Sequence, residues 1–174
     1  EEIIVAHASR VLRNPVKWIE DRFEHLQATC HSRAIETELE IGYDDDGNFE
    51  ALSARIALDT GAYVSTSGIV TAEVAAAHAP GVYKFPNIEV NVTCVGTNKT
   101  PVGTYRGAGQ PEAAFAIESL IDVIAKDLGV DAINLRRQNM VGPDDLPYLA
   151  GTRFGSTDVR FESGDFPAML DRVT

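Results

Sequence analysis

At 174 residues the chain is long enough for one domain of ordinary size with its own buried core, without disulfides or metal clips to hold it. Its 15 Lys and Arg against 26 Asp and Glu give a formal charge of −11, which leaves no basic surplus to displace counterions and excludes nucleic acid and anionic membrane as partners. An apolar fraction of 44% with scattered charges excludes disorder, and no run approaches the roughly 20 apolar residues of a membrane span. The chain opens on Glu1-Glu2 without a leader pattern and stops at Thr174, within a helix-like stretch begun at Asp165. It is therefore expected to be an internal piece of a longer protein.

Ile4, Ala8, Val11 and Leu12 share one helical stripe, which predicts a helix from Glu2 to Arg13, stopped by Asn14-Pro15. Val16 to Ile19 alternates as a short strand carrying Trp18, the only Trp, as a core anchor. Asp21 to Ala28 follows as a helix with acidic residues at its start. Residues 33–43 place Ile35, Thr37, Leu39, Ile41 and Tyr43 on one face and Glu36, Glu38 and Glu40 on the other. The turn cluster Asp44-Asp45-Asp46-Gly47 then leads to a second alternation, Phe49, Leu52 after a bulge, Ala54, Ile56 and Leu58. These two segments are expected as an antiparallel hairpin with one solvated acidic face, not a metal site.

Thr71 to Ala79 reads as a short helix closed by Pro80-Gly81, and Ile88 to Val95 as a further strand. A loop from Gly96 to Gly109 opens into a long helix with Pro111 in its first turn and Ala113, Ile117, Leu120, Ile121, Ile124 and Leu128 along its core stripe. Gly129 ends that helix, and Asp131 caps the next. Residues 142–164 are expected as a long polar loop before a last helix begun at Asp165. The fold class is α+β: an antiparallel or mixed sheet with helices packed on it. Cys30 and Cys94 are expected as reduced, buried or half-buried side chains, which favours a reducing compartment and a cytoplasmic location.

Thr97 to Glu112 is where chemistry would sit. A Gly-rich loop running into a helix N-terminus offers free N–H groups and the positive end of a dipole. That pattern suits an anion or cofactor, or equally a purely structural tight turn; it matches neither a phosphate-binding Walker loop nor the dinucleotide fingerprint. Glu112 reads as a helix-capping carboxylate and Arg136-Arg137 as complements to a helix C-terminus. His7, His25, His31 and His78, in separate elements, read as solvated or locally bonded. No serine sits at a nucleophile elbow.

The run Thr97-Asn-Lys-Thr-Pro-Val-Gly-Thr-Tyr-Arg-Gly-Ala-Gly-Gln-Pro-Glu112, with Phe115 to Asp122 and Leu135-Arg-Arg-Gln-Asn-Met140, resembles the molybdopterin-binding large subunit of the xanthine dehydrogenase/aldehyde oxidase family. Asn14 to Trp18, Glu20 to Glu24, Asp59 to Tyr63, Tyr83 to Ile88 and Phe161 to Asp165 extend the likeness over almost the whole chain. The resemblance implies a molybdenum hydroxylase that inserts water-derived oxygen into a C–H bond of an aldehyde or N-heterocycle. Its cofactor would be molybdenum on molybdopterin, as the cytosine dinucleotide, with [2Fe–2S] clusters and FAD on other domains or subunits. By the same resemblance Tyr105, Arg106, Gly107 and Ala108 line the cofactor, backbone near Arg106 faces the molybdenum ligands, and Ala108 forms part of the substrate pocket wall.

Departures narrow the substrate. Xanthine-oxidising members carry Phe at Ala108 and Arg at Val74, which puts a purine in doubt. Copper-containing CO dehydrogenases carry Cys where this chain has Gly107, so a CO-dehydrogenase-like subunit would act on something other than CO. The family's Gly-Gly-Phe-Gly-Gly loop would precede Glu1 and its catalytic glutamate would follow Thr174. The implied division is 1–141 as part of the molybdopterin-binding domain and 142–174 as a connection into the next part of the subunit. The expectation is that the chain contributes no catalytic residue and no metal ligand, and that alone it is inactive and binds no cofactor. Partners would be the rest of the large subunit, iron–sulfur and FAD subunits, a small-molecule substrate and, through apolar surface left uncovered, a second copy of the chain. A non-catalytic binding module on the same scaffold is the alternative.

Overall fold

A computed structural model describes residues 1–174, the side chain of Thr66 excepted, and divides them into two units, Glu1–Cys30 and His31–Thr174. In the first, α1 (Glu2–Leu12) ends where Arg13 turns left-handed at φ 50°, and Ser9 Oγ donates to Asn14 O at 2.8 Å. α2 (Arg22–Ala28) starts with a capping box: Glu24 N donates to Asp21 Oδ1 at 2.8 Å, and Asp21 N to Glu24 Oε2 at 3.0 Å. Between the helices the expected Val16–Ile19 strand does not form. A four-residue alternation with no neighbouring strand has no ladder to satisfy its backbone. Trp18, deprived of a sheet to cover it, is 54% exposed and is not the expected core anchor.

The second unit is built on the hairpin. β1 (Ile35–Tyr43) and β2 (Phe49–Gly61) pair antiparallel, and the register steps past Glu50 so that Gly42 faces Ala51 and Tyr43 faces Phe49. That bulge puts Phe49, Leu52, Ala54, Ile56 and Leu58 on one buried face while Glu36, Glu38 and Glu40 stay in water. Asp44 shapes the turn by accepting from Asn48 Nδ2, Asn48 N and Asp46 N, and these bonds hold its carboxyl below the ordinary range.

α3 (Thr66–Ala77) starts five residues earlier than the sequence predicts, because the Ser65 side chain accepts from Gly68 N and caps it there. The helix is the crossover to β3 (Asn87–Gly96), which pairs parallel to β2. The resulting order β1-β2-β3 is a mixed sheet. Cys94, near the end of this edge strand, is exposed and unpaired, as is Cys30, so neither thiol is the buried or half-buried side chain expected.

α4 (Gln110–Leu128) and α5 (Ala132–Asn139) complete the core. Ala113, Ile117, Ile121, Ile124 and Ala125 of α4 are buried, and the main cluster joins Ile117, Ile121 and Ile124 to Phe49, Leu52, Tyr83, Phe85 and Leu135. Burial of each large aliphatic side chain contributes about 1.5–3 kcal/mol. The Phe49 ring stacks on Phe85 at 5.3 Å and meets Tyr83 edge-on at 6.0 Å. Arg136 does more than complement a helix end. Its Nε donates to Glu118 Oε2 at 2.6 Å and Nη1 pairs with Asp122 at 2.8 Å, so α5 is clamped to α4, and Tyr83 OH donates to the same Glu118 at 2.8 Å. Arg137 reaches Asp171 at 2.6 Å.

Residues 142–164 are not the long loop expected from their polarity. A 3-10 turn (Pro143–Asp145) leads into β4 (Tyr148–Phe154) and β5 (Thr157–Phe161), an antiparallel hairpin. It is short and half-exposed, with only Ala150 and Thr152 buried and Thr152 Oγ1 donating to Ala77 O at 2.7 Å, so its apolar alternation is too weak to stand out in the sequence. α6 (Phe166–Asp171) follows, capped by Asp165. No helix among the described residues is long and apolar enough to cross a membrane.

Candidate functional site

The end of β2 frames the loop. Val102 N donates to Thr60 O at 3.1 Å, Thr97 N to Gly61 O at 3.0 Å and Ala62 N to Lys99 O at 2.8 Å. Gly61, at φ 76°, leaves no room for a Cβ, which would sit 2.7 Å from Pro101 Cα and closer still to Thr100 O. Asp59 closes a clasp beneath this turn. It accepts from Thr97 Oγ1 at 2.6 Å and from Gly61 N at 3.0 Å, and pairs with Lys99 Nζ at 2.9 Å. The Thr97 hydroxyl, followed by Lys99 and Gly61 N–H, lowers the Asp59 pKa from 3.8 to about 2.

Because the folded pKa is depressed, the Asp59 contribution is complete above its ordinary 3.8 and disappears as pH falls through about 2. Amide exchange at Gly61 and Lys99 is expected to accelerate as pH is lowered across that window, after correction for intrinsic rates. Asp59→Asn should abolish the acceleration; an unchanged profile in the variant would refute the clasp.

Beyond Gly103 the backbone turns sharply. Ala108 N donates to Tyr105 O at 2.7 Å, and Gly107, Ala108 and Gly109 take successive positive φ values of 97°, 36° and 93°. Within 104–109, Ala108 alone donates its N–H to another backbone carbonyl, and α4 has no side-chain cap. Open donors therefore cluster where the dipole of α4 is positive. Tyr105 and Arg106 are exposed, Gly107 and Ala108 half-buried. A left-handed alanine costs about 1–3 kcal/mol, strain that only a built turn sustains. The four residues singled out from the sequence thus form one contiguous turn at the mouth of α4. Val74, the other position compared with purine-oxidising members, lies half-buried on α3, next to Ala75 whose backbone borders Gly109.

One residue at this turn, Arg33, escaped sequence reasoning, and so did the ion pair that Glu112 makes with it. Arg33 holds a left-handed φ of 75°, donates from Nη1 to Glu112 Oε2 at 2.8 Å, and lies 5.4 Å from the centroid of the Tyr105 ring. Glu112 is in the first turn of α4, but its side chain is only 12% exposed and Oε1 is buried without a hydrogen-bond partner. It is an ion-pair partner with an unmet acceptor, not simply a helix-end carboxylate. Only the 79-residue separation concealed the pair. Two of the histidines are locally bonded: His25 Nδ1 lies 2.8 Å from Glu20 Oε2, and His78 Nδ1 lies 2.9 Å from Val74 O. Among the described residues no cluster of His, Cys, Asp and Glu could hold a metal ion.

The family model described as the molybdopterin cofactor-binding domain matches residues 1–140. The chain belongs to that family. Among similar proteins, the gamma subunit of the 6-hydroxypseudooxynicotine dehydrogenase complex of Paenarthrobacter nicotinovorans is 34% identical over 95% of the chain and 21% of its own length. The carbon monoxide dehydrogenase large chain of Hydrogenophaga pseudoflava is 32% identical over 95% of the chain and 20% of its own length. The crystal structure of quinoline 2-oxidoreductase from Pseudomonas putida 86 superposes with a TM-score of 0.87 at 35% identity, covering 98% of this chain and 21% of that one.

The chain thus spans about a fifth of the length of the first relatives it matches. Its α+β architecture is that of the molybdopterin cofactor-binding domain of the molybdenum-hydroxylase family. The turn fits such a cofactor chemically: an electron-rich, anionic group needs N–H donors, and the N–H groups of Tyr105, Arg106 and Gly107 donate to no backbone carbonyl.

Proposed function

We propose that the chain contributes one wall of the molybdenum cofactor site of a hydroxylase, with Tyr105, Arg106, Gly107 and Ala108 against the cofactor and Ala108 also bordering the substrate pocket. The observation that carries this reading is the open, left-handed turn at the start of α4, lying within the span of the family match. When bound, the molybdenum–molybdopterin group, in its cytosine dinucleotide form, supplies the redox chemistry that transfers water-derived oxygen into a C–H bond. The chain's own residues hold and orient: backbone N–H groups of the turn donate, Gly107 lets the backbone come close, and the small Ala108 leaves pocket space. No residue of the chain acts as the catalytic base, and alone it is inactive.

An N-heterocycle or aldehyde is the substrate class. The likeness to quinoline 2-oxidoreductase, an enzyme named for an N-heterocycle, supports the former. Gly107 in the place of the cysteine of copper-containing CO dehydrogenases argues against CO despite the likeness to that large chain. In this reading 1–141 belongs to the molybdopterin-binding domain and 142–174 leads into the rest of the subunit. [2Fe–2S] and FAD partners carry electrons away in the cytoplasm; relatives named as a gamma subunit and a large chain support a multi-subunit assembly.

The test is elemental analysis of the complete protein that carries this chain. One molybdenum per protomer is expected, against a substoichiometric trace in the 174-residue chain alone. Replacing 105–108 with Ser-Gly-Ser-Gly should remove the metal from the complete protein. Full retention in that replacement would overturn the assignment of the turn.

A further inference from the structure

We propose that Arg33 and Glu112 are positioning residues that hold the cofactor-facing turn in its binding conformation by clamping Tyr105; the proposal rests on the cofactor-wall reading above. The turn is pinned at both ends. At its far end Gly109 is jammed against α3, where a Cβ would meet Ala75 N at 2.7 Å and Thr71 O closer still. At its near end the Tyr105 side chain is two-thirds exposed, and its ring is faced by the Arg33 guanidinium. That guanidinium is fixed by Glu112, which belongs to the first turn of the helix that the loop enters. Since Tyr105 O receives the Ala108 N–H that closes the turn, fixing Tyr105 fixes the geometry of Arg106, Gly107 and Ala108.

The pair carries features that stability alone does not call for. Arg33 is left-handed, a conformation in which glycine would be at ease, and Glu112 leaves Oε1 buried and unpaired. Both departures fall on the two residues that set the ring. A planar guanidinium, always charged, can pair with a carboxylate at its edge and face an aromatic ring at once, which an ammonium cannot.

The decisive variant, in the complete molybdenum protein, is the double substitution Arg33→Gly with Glu112→Gln. It relieves the left-handed strain and removes both charges together, so no lone buried carboxylate remains. The thermal midpoint of the cofactor-free protein is expected at or above wild type, within about 2 °C. Molybdenum retained after gel filtration should nevertheless fall about tenfold, the scale on which supporting residues act on metal affinity. Arg33→Lys keeps the ion pair without the planar face and should give an intermediate loss of about threefold.

Wild-type molybdenum content in the double variant would overturn the proposal. So would a thermal midpoint that drops in step with the metal, since the pair would then be a structural strut. A wild-type complete protein that is folded but binds no molybdenum would overturn the cofactor-wall reading itself, and this proposal with it.

Discussion

Gly109→Ala is expected to destabilise the His31–Thr174 unit by about 3–5 kcal/mol, combining left-handed strain of about 1–3 kcal/mol with a backbone collision of similar cost. Gly109 is the N-cap of α4 at φ 93°, and its missing Cβ is what allows the helix to start against the backbone of α3 at Thr71 and Ala75. Neither obstacle is a flexible side chain tip, so α3 and α4 must separate to admit a methyl group. The comparison is Gly129→Ala at the other end of the same helix. Gly129 is also left-handed, at φ 69°, but no atom lies within 4 Å of where its methyl group would sit, so strain alone applies, about 1 kcal/mol. Thermal melts should therefore show a drop of about 10 °C or more for Gly109→Ala and a few degrees for Gly129→Ala. Equal losses would mean that the α3–α4 approach is not tight.

Asn139→Leu should cost about 3 kcal/mol, comparable to a core cavity although it removes no apolar packing. Asn139 is 4% exposed at the end of α5. Its Oδ1 accepts from Phe49 N at 2.8 Å, and its Nδ2 donates to Gly47 O at 2.9 Å and Leu135 O at 3.0 Å. One amide thus satisfies the turn of the β1–β2 hairpin and the start of β2, 90 residues away. Leucine leaves the Phe49 N–H and the Gly47 carbonyl buried without partners, about 1–3 kcal/mol each. Its exposed neighbour Gln138, which donates to Asp46 O and Asn48 Oδ1, provides the contrast: Gln138→Ala should stay within about 0.5 kcal/mol. Urea midpoints with unchanged slope would measure both. A small effect at Asn139 would mean that water replaces the amide.

Where periodicity was strong, the sequence already contained the structure. The Ile35–Tyr43 alternation, the Phe49 to Leu58 alternation with its bulge, and the Ala113–Ile124 stripe each became the predicted element, because burying one face rewards that period alone. The Asp131 cap was legible for a similar reason, since it bonds an N–H three residues ahead; Asp21 and Asp165, read from the sequence only as helix starts, do the same. Short segments failed. Val16–Ile19 alternates without a partner strand, whereas β4 and β5 pair with little apolar pattern, since pairing is decided between segments and not within them.

The site divides along the same line. The stretch from Thr97 to Glu112 carried enough local chemistry to mark a donor-rich turn at a helix start and to place the chain in its family. Those properties depend on residues adjacent in the chain, which fix local backbone conformation and N–H availability. The Arg33–Glu112–Tyr105 clamp, the collision site at Gly109, the Asp59 clasp and the Asn139 bridge depend on residues 38 or more positions apart or on helices that meet only after folding. Ion pairs, ring contacts and close backbone approach act over a few ångströms, so only the tertiary structure could bring them into range.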